Sequence, residues 1–504
     1  MREDYIECTF EDLLDYEQPT KYIVKSTKYS DAHKIPVLTA GKSFIKGYTN
    51  ETDGIFDELP TIIFDDFTTA TQFVDFAFKV KSSAMKILVP TSKLVNMKFV
   101  YNCIQVNQVR NDTHKRYWIS VYAKKKILLP PLVEQNAILS KTEELFSDLE
   151  NGIANFKKAQ EQLKIYRQAV LKKAFEGKLT KEWREKQSNL PTAEELLKQI
   201  KEERQNHYNQ QMEDWKKAVK TWEKNRKVGK KPSKPTALSL DFNLTKTDQE
   251  LKEIPQNWSY ITLDFATYKL GDGLHGTPQY DENGEYWFIN GNNLNNGKIL
   301  LKPETKKVSF LEFEKYKKDL NANTILVSIN GTIGNVSFYK DEKVILGKSA
   351  CYFNLLSSFD KNYIRWITDS FGFMQYAVRN ATGSTIKNVP LSAMRNFVFP
   401  LCSTQEQAQI VQEIESRLSV CDKVEQSINE SIEKAEALRQ SILKKAFEGK
   451  LLSQAEIELC KTATDYEPAS ELLKKIKADK LTKEQALRQT QGKKKPTVKK
   501  KSKK

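Results

Sequence analysis

Three glycine-bearing stretches offer phosphate chemistry on paper. Gly271-Asp-Gly-Leu-His-Gly276 spells G-x-G-x-x-G, the spacing that lets a backbone approach a pyrophosphate at a helix N-terminus. That chemistry needs a strand before the glycines and a helix straight after them. Pro278 follows within two residues and no long apolar helix comes next, so a loop that could face a ligand is predicted. Gly41-Lys42-Ser43 and Gly347-Lys348-Ser349 look like the ends of phosphate loops, yet the first glycine of that pattern is replaced by Pro36 and Glu342. ATP binding by this chain is not expected. Pro303-Glu-Thr-Lys306 contains a Glu-x-Lys pair but no suitable acid-bearing strand, and no N/D-P-P-Y/F stretch for methyl transfer occurs. The six cysteines (Cys8, Cys103, Cys351, Cys402, Cys421, Cys460) form no C-x-x-C pair, and the four histidines (His33, His114, His207, His275) are scattered. Zinc spacing is absent, and no Ser/His/Asp set can be assembled. The chain reads as a binder, not a catalyst.

Its charge says what it binds. The net charge is +16, which favours a polyanionic partner. Half of that belongs to the tail Lys493–Lys504, whose eight lysines and no acid predict a disordered segment. Dispersed cysteines suit a reducing cytosol, so a cytoplasmic location is expected. The N-terminus has no apolar run of a secretory signal, and no segment is apolar enough to span a membrane. A length of 504 residues suggests about three domains.

The elements that would carry a binding site repeat. Leu171–Leu179 and Leu443–Leu451 are both LKKAFEGKL, and residues 113–180 align with 385–452 at a constant offset of 272 without a gap. Glu134-Gln135 falls on Glu406-Gln407, and Arg167-Gln168 on Arg439-Gln440. Each copy reads as a helix of roughly 40 residues, about 60 Å long. Pro130-Pro131 opens the first, and Ser403-x-x-Glu406 has capping-box spacing in the second. Gly177 and Gly449 are predicted to end them. A 4,3 stripe runs along each: Leu145, Leu149, Gly152, Phe156, Ala159, Leu163, Tyr166, Val170, and Ile410, Ile414, Arg417, Cys421, Val424, Ile428, Ser431, Ala435, Leu438, Ile442. Such a seam predicts that the two copies pack as an intramolecular antiparallel coiled coil; two separate partner chains are the alternative. The packing residues are Leu145, Leu149, Phe156, Leu163 and Val170 against Ile414, Val424, Ile428, Leu438 and Ile442.

The remaining segments share almost no identity. Residues 1–129 read as α/β, with strand-like runs at Ile35–Leu38, Thr61–Phe64 and Lys86–Val89. Residues 254–402 read as short strands with a helix over Tyr363–Arg379. Between the first helix and this region, 181–253 is charged and helical and ends in a linker, Lys227–Pro235. A fainter echo, now at offset 276, relates Ala193–Lys201 to Ala469–Lys477.

In this order these features closely resemble the specificity subunit of type I restriction-modification systems. The resemblance covers about residues 5–480. It rests on Pro130–Gln135, the two LKKAFEGKL blocks, Ile35–Lys42 with Ile62–Thr68, and Trp258, Gly273–Pro278 and Ser328–Gly334. It implies an α+β fold: two α/β target-recognition domains (1–129 and 254–402) joined by two long antiparallel helices (130–180 and 403–452). The charged segment 181–253 and a helical extension with its tail (453–504) complete the chain. Each head would read one half of a bipartite site in double-stranded DNA, with the helices setting the spacing. The partners implied are two modification subunits and a restriction subunit. These partners, not this chain, would hold S-adenosylmethionine, ATP and Mg2+. Two departures stand out: the second head opens on Pro255-x-x-Trp258 while the first opens on Tyr5-Ile-Glu-Cys, and Cys402-Ser-Thr404 replaces Pro130-Pro-Leu132. If the heads read DNA, candidates for bases and phosphates are Lys42, Thr68, Thr69, Lys81 and Ser83 in the first, and Lys269, His275, Thr277, Thr332, Lys348, Ser384, Thr385 and Lys387 in the second. The rival readings are the specificity chain of a combined restriction and methylation enzyme cutting on both sides of its site, and a two-headed scaffold for proteins.

Overall fold

The computed structural model describes residues 4–41, 43–107, 116–244 and 251–492. The predicted disordered tail lies outside them. The first head contains β1 (Ile6–Thr9), α1 (Phe10–Leu13), β2 (Leu14–Glu17), β3 (Ile35–Leu38), β4 (Ile45–Thr49), β5 (Thr61–Asp65), β6 (Thr71–Val74), β7 (Lys79–Val80), β8 (Met85–Pro90), α2 (Met97–Val106) and β9 (Lys126–Leu129). Then come α3 (Leu132–Phe175), α4 (Lys181–Glu185) and α5 (Ala193–Lys224). The second head contains β10 (Ser259–Thr262), β11 (Thr267–Asp272), β12 (Tyr286–Ile289), β13 (Leu294–Asn295), β14 (Lys298–Ile299), β15 (Lys307–Val308), α6 (Phe310–Tyr316), β16 (Thr324–Ser328), β17 (Val336–Phe338), β18 (Val344–Leu346), β19 (Ala350–Leu355), α7 (Lys361–Thr368), α8 (Phe371–Asn380), α9 (Leu391–Asn396) and β20 (Val398–Leu401). The chain closes with α10 (Thr404–Phe447), α11 (Gln454–Lys461) and α12 (Ala469–Gly492). No described helix is long and apolar enough to cross a membrane.

The two heads, unmatched in sequence, share one topology. In the first, a four-stranded sheet runs β2-β8-β5-β6 and a three-stranded sheet β4-β3-β7. In the second, the orders are β11-β19-β16-β17 and β15-β12-β18. Matching strands occur in the same sequence order. Both larger sheets are antiparallel, and both smaller ones hold one parallel pair, β3 with β7 and β12 with β18. A further pair closes each head: Ile6 faces Leu129 and Ser259 faces Leu401. Buried central strands, β5 (Thr-Ile-Ile-Phe-Asp) and β16 (Thr-Ile-Leu-Val-Ser), tolerate any apolar sequence that packs on both faces. A duplicated fold can therefore survive loss of identity.

The chain clusters into two units, Met1–Lys157 with Asn429–Lys504, and Lys158–Ile428. Each contains one head and part of both long helices. Both helices are 44 residues long and start at equivalent positions, 132 and 404. In the second unit, Arg167 binds Asp422 and Glu425 at 2.7 and 3.0 Å, and Val170, Leu171 and Ala174 share a core with Ile410, Ile414 and Leu418. In the first, Arg439 binds Glu150 at 3.4 Å and stacks on Phe146. Arg439 and Glu150 are the repeat equivalents of Arg167 and Asp422, so the same antiparallel bridge is built twice.

The seam differs from the predicted stripe. Val424 and Leu438 are exposed, whereas Leu418 is buried one position after Arg417. Spacing over Ile410, Ile414, Leu418 and Cys421 is 4,4,3, close to the 3.6-residue turn of a straight helix. A strict heptad would drift about 20° per repeat onto the flank. The seam takes Leu418 in place of Arg417, and Glu425, next to the exposed Val424, makes a cross-helix ion pair with Arg167.

The helix ends behave as read, with one exception. Gly177 and Gly449 have φ of +71° and +72°. Lys178 and Lys450 donate back to Lys173 and Lys445, at 2.9 and 2.8 Å, the closure that a left-handed residue permits. The capping box is only half made. Ser403 Oγ accepts from the Glu406 N–H at 3.2 Å, but the Glu406 carboxylate turns to the head. The region predicted as one helix from Tyr363 is two, because Ser370 caps α8 through the Phe373 N–H.

The faint echo at offset 276 is a pair of clamp helices. Leu196 and Ile200 of α5 enter the core of the second head, and Leu472 and Ile476 of α12 that of the first. Glu203 accepts from Ser358 Oγ (2.7 Å), and Asp479, its equivalent, from Ser92 Oγ (2.5 Å).

Candidate nucleic-acid interface

Each head meets its long helix at a buried carboxylate. Glu406 is fully buried and accepts from Trp258 Nε1 (2.9 Å), Thr180 Oγ1 (2.8 Å) and Arg184 Nη1. In the first unit Tyr5 Oη donates to the equally buried Glu134 at 3.1 Å. Tyr5 thus stands where Trp258 stands, one residue before the closing strand, which accounts for the missing tryptophan lead. The other departure is also absorbed. Gln135 donates to the Pro130 carbonyl and Gln407 to the Cys402 carbonyl, at 2.8 and 2.9 Å, and a carbonyl serves whatever its side chain.

The predicted contacts of the second head converge from separate segments. The turn after β16 carries Thr332, whose hydroxyl lies 3.4 Å from Ser328 Oγ. The turn after β18 carries Lys348. These turns are tied together by Ile329 N–H donating to Ser349 O (3.0 Å). The segment 382–388, with Ser384, Thr385 and Lys387, joins through Gly331 N–H to Lys387 O (3.3 Å) and an Asn330–Asn388 bridge. The loop after β11, with His275 and Thr277, joins through Leu274 N–H to Leu346 O (2.6 Å). Gly273 permits this approach, since a Cβ there would lie 2.1 Å from the Leu346 oxygen. Thr277, Thr332, Lys348, Ser384, Thr385 and Lys387 are all exposed. His275 is exposed and paired with Asp272 at 2.5 Å.

Lys269 does not belong to this group. It sits three residues down β11, and its ammonium pairs with Asp319 at 3.3 Å, toward the opposite sheet end. Its place along the strand sets which end it is near and alternation sets its face, and turn composition reveals neither. Sequence reading missed Asn290, Asn330 and Asn388, whose amides sit among these loops. The signal was present as Asn-Gly pairs at 290–291 and 330–331.

The first head gathers equivalent turns. Lys81 N–H donates to Leu38 O (3.1 Å), and Asp66 N–H to Ala84 O (3.3 Å). Lys81 and Ser83 are exposed there, in the turn that corresponds to the one carrying Lys348 and Ser349. Asp65 Oδ1 accepts from the N–H groups of Phe67 and Thr68, shaping a turn that leaves Thr68 exposed. Thr69 is buried at φ +58°, so it serves the turn and not a ligand. Lys42 lies outside the described residues.

A second surface recurs. In one unit a groove of about 610 Å³ is lined by Gln168, Lys172, Phe175 and Glu176 with α8 and β20. In the other, a groove of about 470 Å³ is lined by the equivalents Gln440, Lys444, Phe447 and Glu448 with α2 and β9.

Comparison with known proteins agrees with this architecture. Residues 255–434 match the type I restriction modification DNA specificity domain. The specificity subunit of the type I restriction enzyme EcoR124I/EcoR124II of Escherichia coli is 52% identical over 124 residues, which is 24% of this chain and 31% of that one. The EcoBI specificity subunit of the same species is 25% identical over 358 residues, 70% of this chain and 64% of that one. These alignments span less than two thirds of either relative. A solved chain from a study of assembly and conformational transition of the type I R-M system shares the fold, with a TM-score of 0.57, 12% identity, and coverage of 90% of this chain and 99% of that one. The domain match, the relatives and the twice-built fold agree: residues 255–434 match a type I restriction modification DNA specificity domain, and most of the chain is similar to type I restriction enzyme specificity subunits.

Proposed function

We propose that this chain reads DNA sequence for a type I restriction-modification complex and performs no chemistry itself. One observation carries the reading: a single fold is built twice on a duplicated scaffold, and the exposed turns that cluster on each head differ in sequence. Matched supports with unmatched tips suit two half-sites of one bipartite target. Hydroxyls, amides and lysines on those turns are the groups that meet base edges and phosphates. The recurrent groove is where the same partner would dock twice, which fits two modification subunits. A restriction subunit completes the complex, and S-adenosylmethionine, ATP and Mg2+ belong to these partners. The names of the relatives favour this over a scaffold for two unrelated proteins.

The test is adenine-methylation sequencing of cells with and without the gene. A bipartite motif that disappears with the gene is expected. An unchanged methylation pattern would overturn the proposal, as would methylation of DNA by the purified chain given S-adenosylmethionine alone.

A further inference from the structure

The segment predicted as a linker is the return leg of a hairpin. α5 is anchored on the second head by Arg204, which donates to the carbonyls of Asp264, Phe265 and Thr267 at 3.0, 2.9 and 2.7 Å, and by His207, whose ring packs at a tilt against Tyr268 with centroids 4.1 Å apart. The helix then runs on to Lys224. The chain turns through Arg226, Lys227 and Gly229, at φ of +54°, +61° and +84°, and comes back along it. Trp222 Nε1 donates to Gly229 O at 3.0 Å and Trp215 Nε1 to Pro232 O at 3.1 Å. The leg re-enters the head at Ser239, whose carbonyl takes Arg204 Nε, and at Phe242, packed on Phe265 at 4.6 Å. Two indole bonds thus hold a helix and an extended leg together as a tongue.

The charge on this tongue is concentrated. From Lys216 to Lys234 there are eight lysines and one arginine against the single acid Glu223, and all nine cations are exposed. Lys216, Lys220 and Lys224 follow at i, i+4, i+8, away from the face that carries Trp215 and Trp222. Like charges at that spacing destabilise a helix, so folding of the tongue does not explain them. A ridge of cations on a built element matches a polyanion.

We propose that the tongue binds the phosphate backbone of duplex DNA without reading its bases. This rests on the reading of the chain as DNA-recognising. The tongue is rooted at Thr267, the first residue of β11, whereas the loop cluster begins beyond Asp272 at the other end of that strand. Its duplex is therefore not the stretch met by the loops, and its loss leaves the recognised sequence unchanged.

The experiment compares the full chain with a variant carrying Lys216, Lys220, Lys224, Lys227, Lys230 and Lys231 as Gln. The probe is a fluorescent 60-bp duplex of random sequence, titrated across a salt series. Counterion release contributes about 0.9 to the slope of log K against log salt per phosphate contact. A slope smaller by about 3–5 is expected, with affinity at fixed salt at least tenfold weaker, the methylated motif in cells unchanged, and the corresponding Lys→Arg variant retaining wild-type binding. Should the six-fold variant lose helix content, Lys227, Lys230 and Lys231→Gln on the return leg alone should lower the slope by about 2–3. An unchanged slope and affinity overturn the proposal. So does loss of a co-purifying protein at unchanged slope, which would mark an acidic protein surface as the partner. A normal motif with an unchanged slope sinks the tongue alone, whereas the absence of any gene-dependent motif in cells carrying the unaltered chain sinks the DNA-recognition reading.

Discussion

Glu406 has no exposure to water and three side-chain donors on it, from Trp258, Thr180 and Arg184. It connects the start of α10, the segment after α3 and the entry to the second head. Removing one partner of such a buried network costs about 3–5 kcal/mol, because the others are left unsatisfied. Glu406→Ala is expected to lower stability in urea by that amount, whereas Glu415→Ala on the exposed flank of the same helix stays within about 0.5 kcal/mol. Equal effects would mean that Glu406 is not a joint. A second residue ties stability to pH. Burial pushes the Asp369 carboxyl up to about 6, with the nearby Arg365 pulling the other way. An unfolded Asp titrates near 3.9, so between about pH 4 and 6 the folded chain holds a proton that the unfolded chain has released. The contribution of this group to stability therefore grows as pH falls through that window, and the charged form costs stability above it. Asp369→Asn should raise the melting temperature at pH 7.5 and leave it unchanged at pH 4. The same shift at both would rule out ionisation as its cause.

At the scale of elements, the helix pair makes two separable claims. The packed seam contains Leu418 and not Val424, so Leu418→Ala should cost about 2–4 kcal/mol in urea unfolding, and Val424→Ala less than about 0.5. The reverse order would restore the simple heptad stripe. The second claim concerns length. Insertion of one heptad at Ala159 and another at Ser431 keeps both helices in phase and adds roughly 10 Å to each, about three base pairs of DNA. The methylated motif is expected to keep both half-sites and gain unread spacer. A folded, active variant with an unchanged spacer would show that the helices do not set the distance.

At the scale of the whole molecule, each head is closed by its own first and last strands, β1 with β9 and β10 with β20. A head is thus a transferable piece whose ends lie on adjacent strands. If the heads read DNA as proposed, replacing Tyr5–Leu129 with the equivalent head of a type I specificity subunit should change one half of the methylated motif and preserve the other. A change in both halves, with folding intact, would show that the heads do not read independently. Cutting short of β9 should instead unfold the graft, since β1 loses its partner.

Local information sufficed for much of this protein. The long helices, their terminal glycines and their equivalence follow from periodicity, capping chemistry and the 272-residue offset. Strands β3, β5 and β8 follow from short apolar runs between turns. The cation-rich turns were also visible, because glycine, asparagine and lysine mark exposed bends wherever they occur. Tertiary structure decided which bends meet: Thr332, Lys348 and Lys387 are neighbours through long-range backbone bonds, while Lys269 is turned to the opposite sheet end. It decided that Tyr5 substitutes for Trp258, since a hydroxyl and an indole can each donate to a buried carboxylate. It decided that two heads without shared sequence share a fold, because buried strands constrain apolarity and volume more than identity. It also made a tongue of a segment with linker composition, since the indole bonds of Trp215 and Trp222 reach across a turn that local propensity does not register.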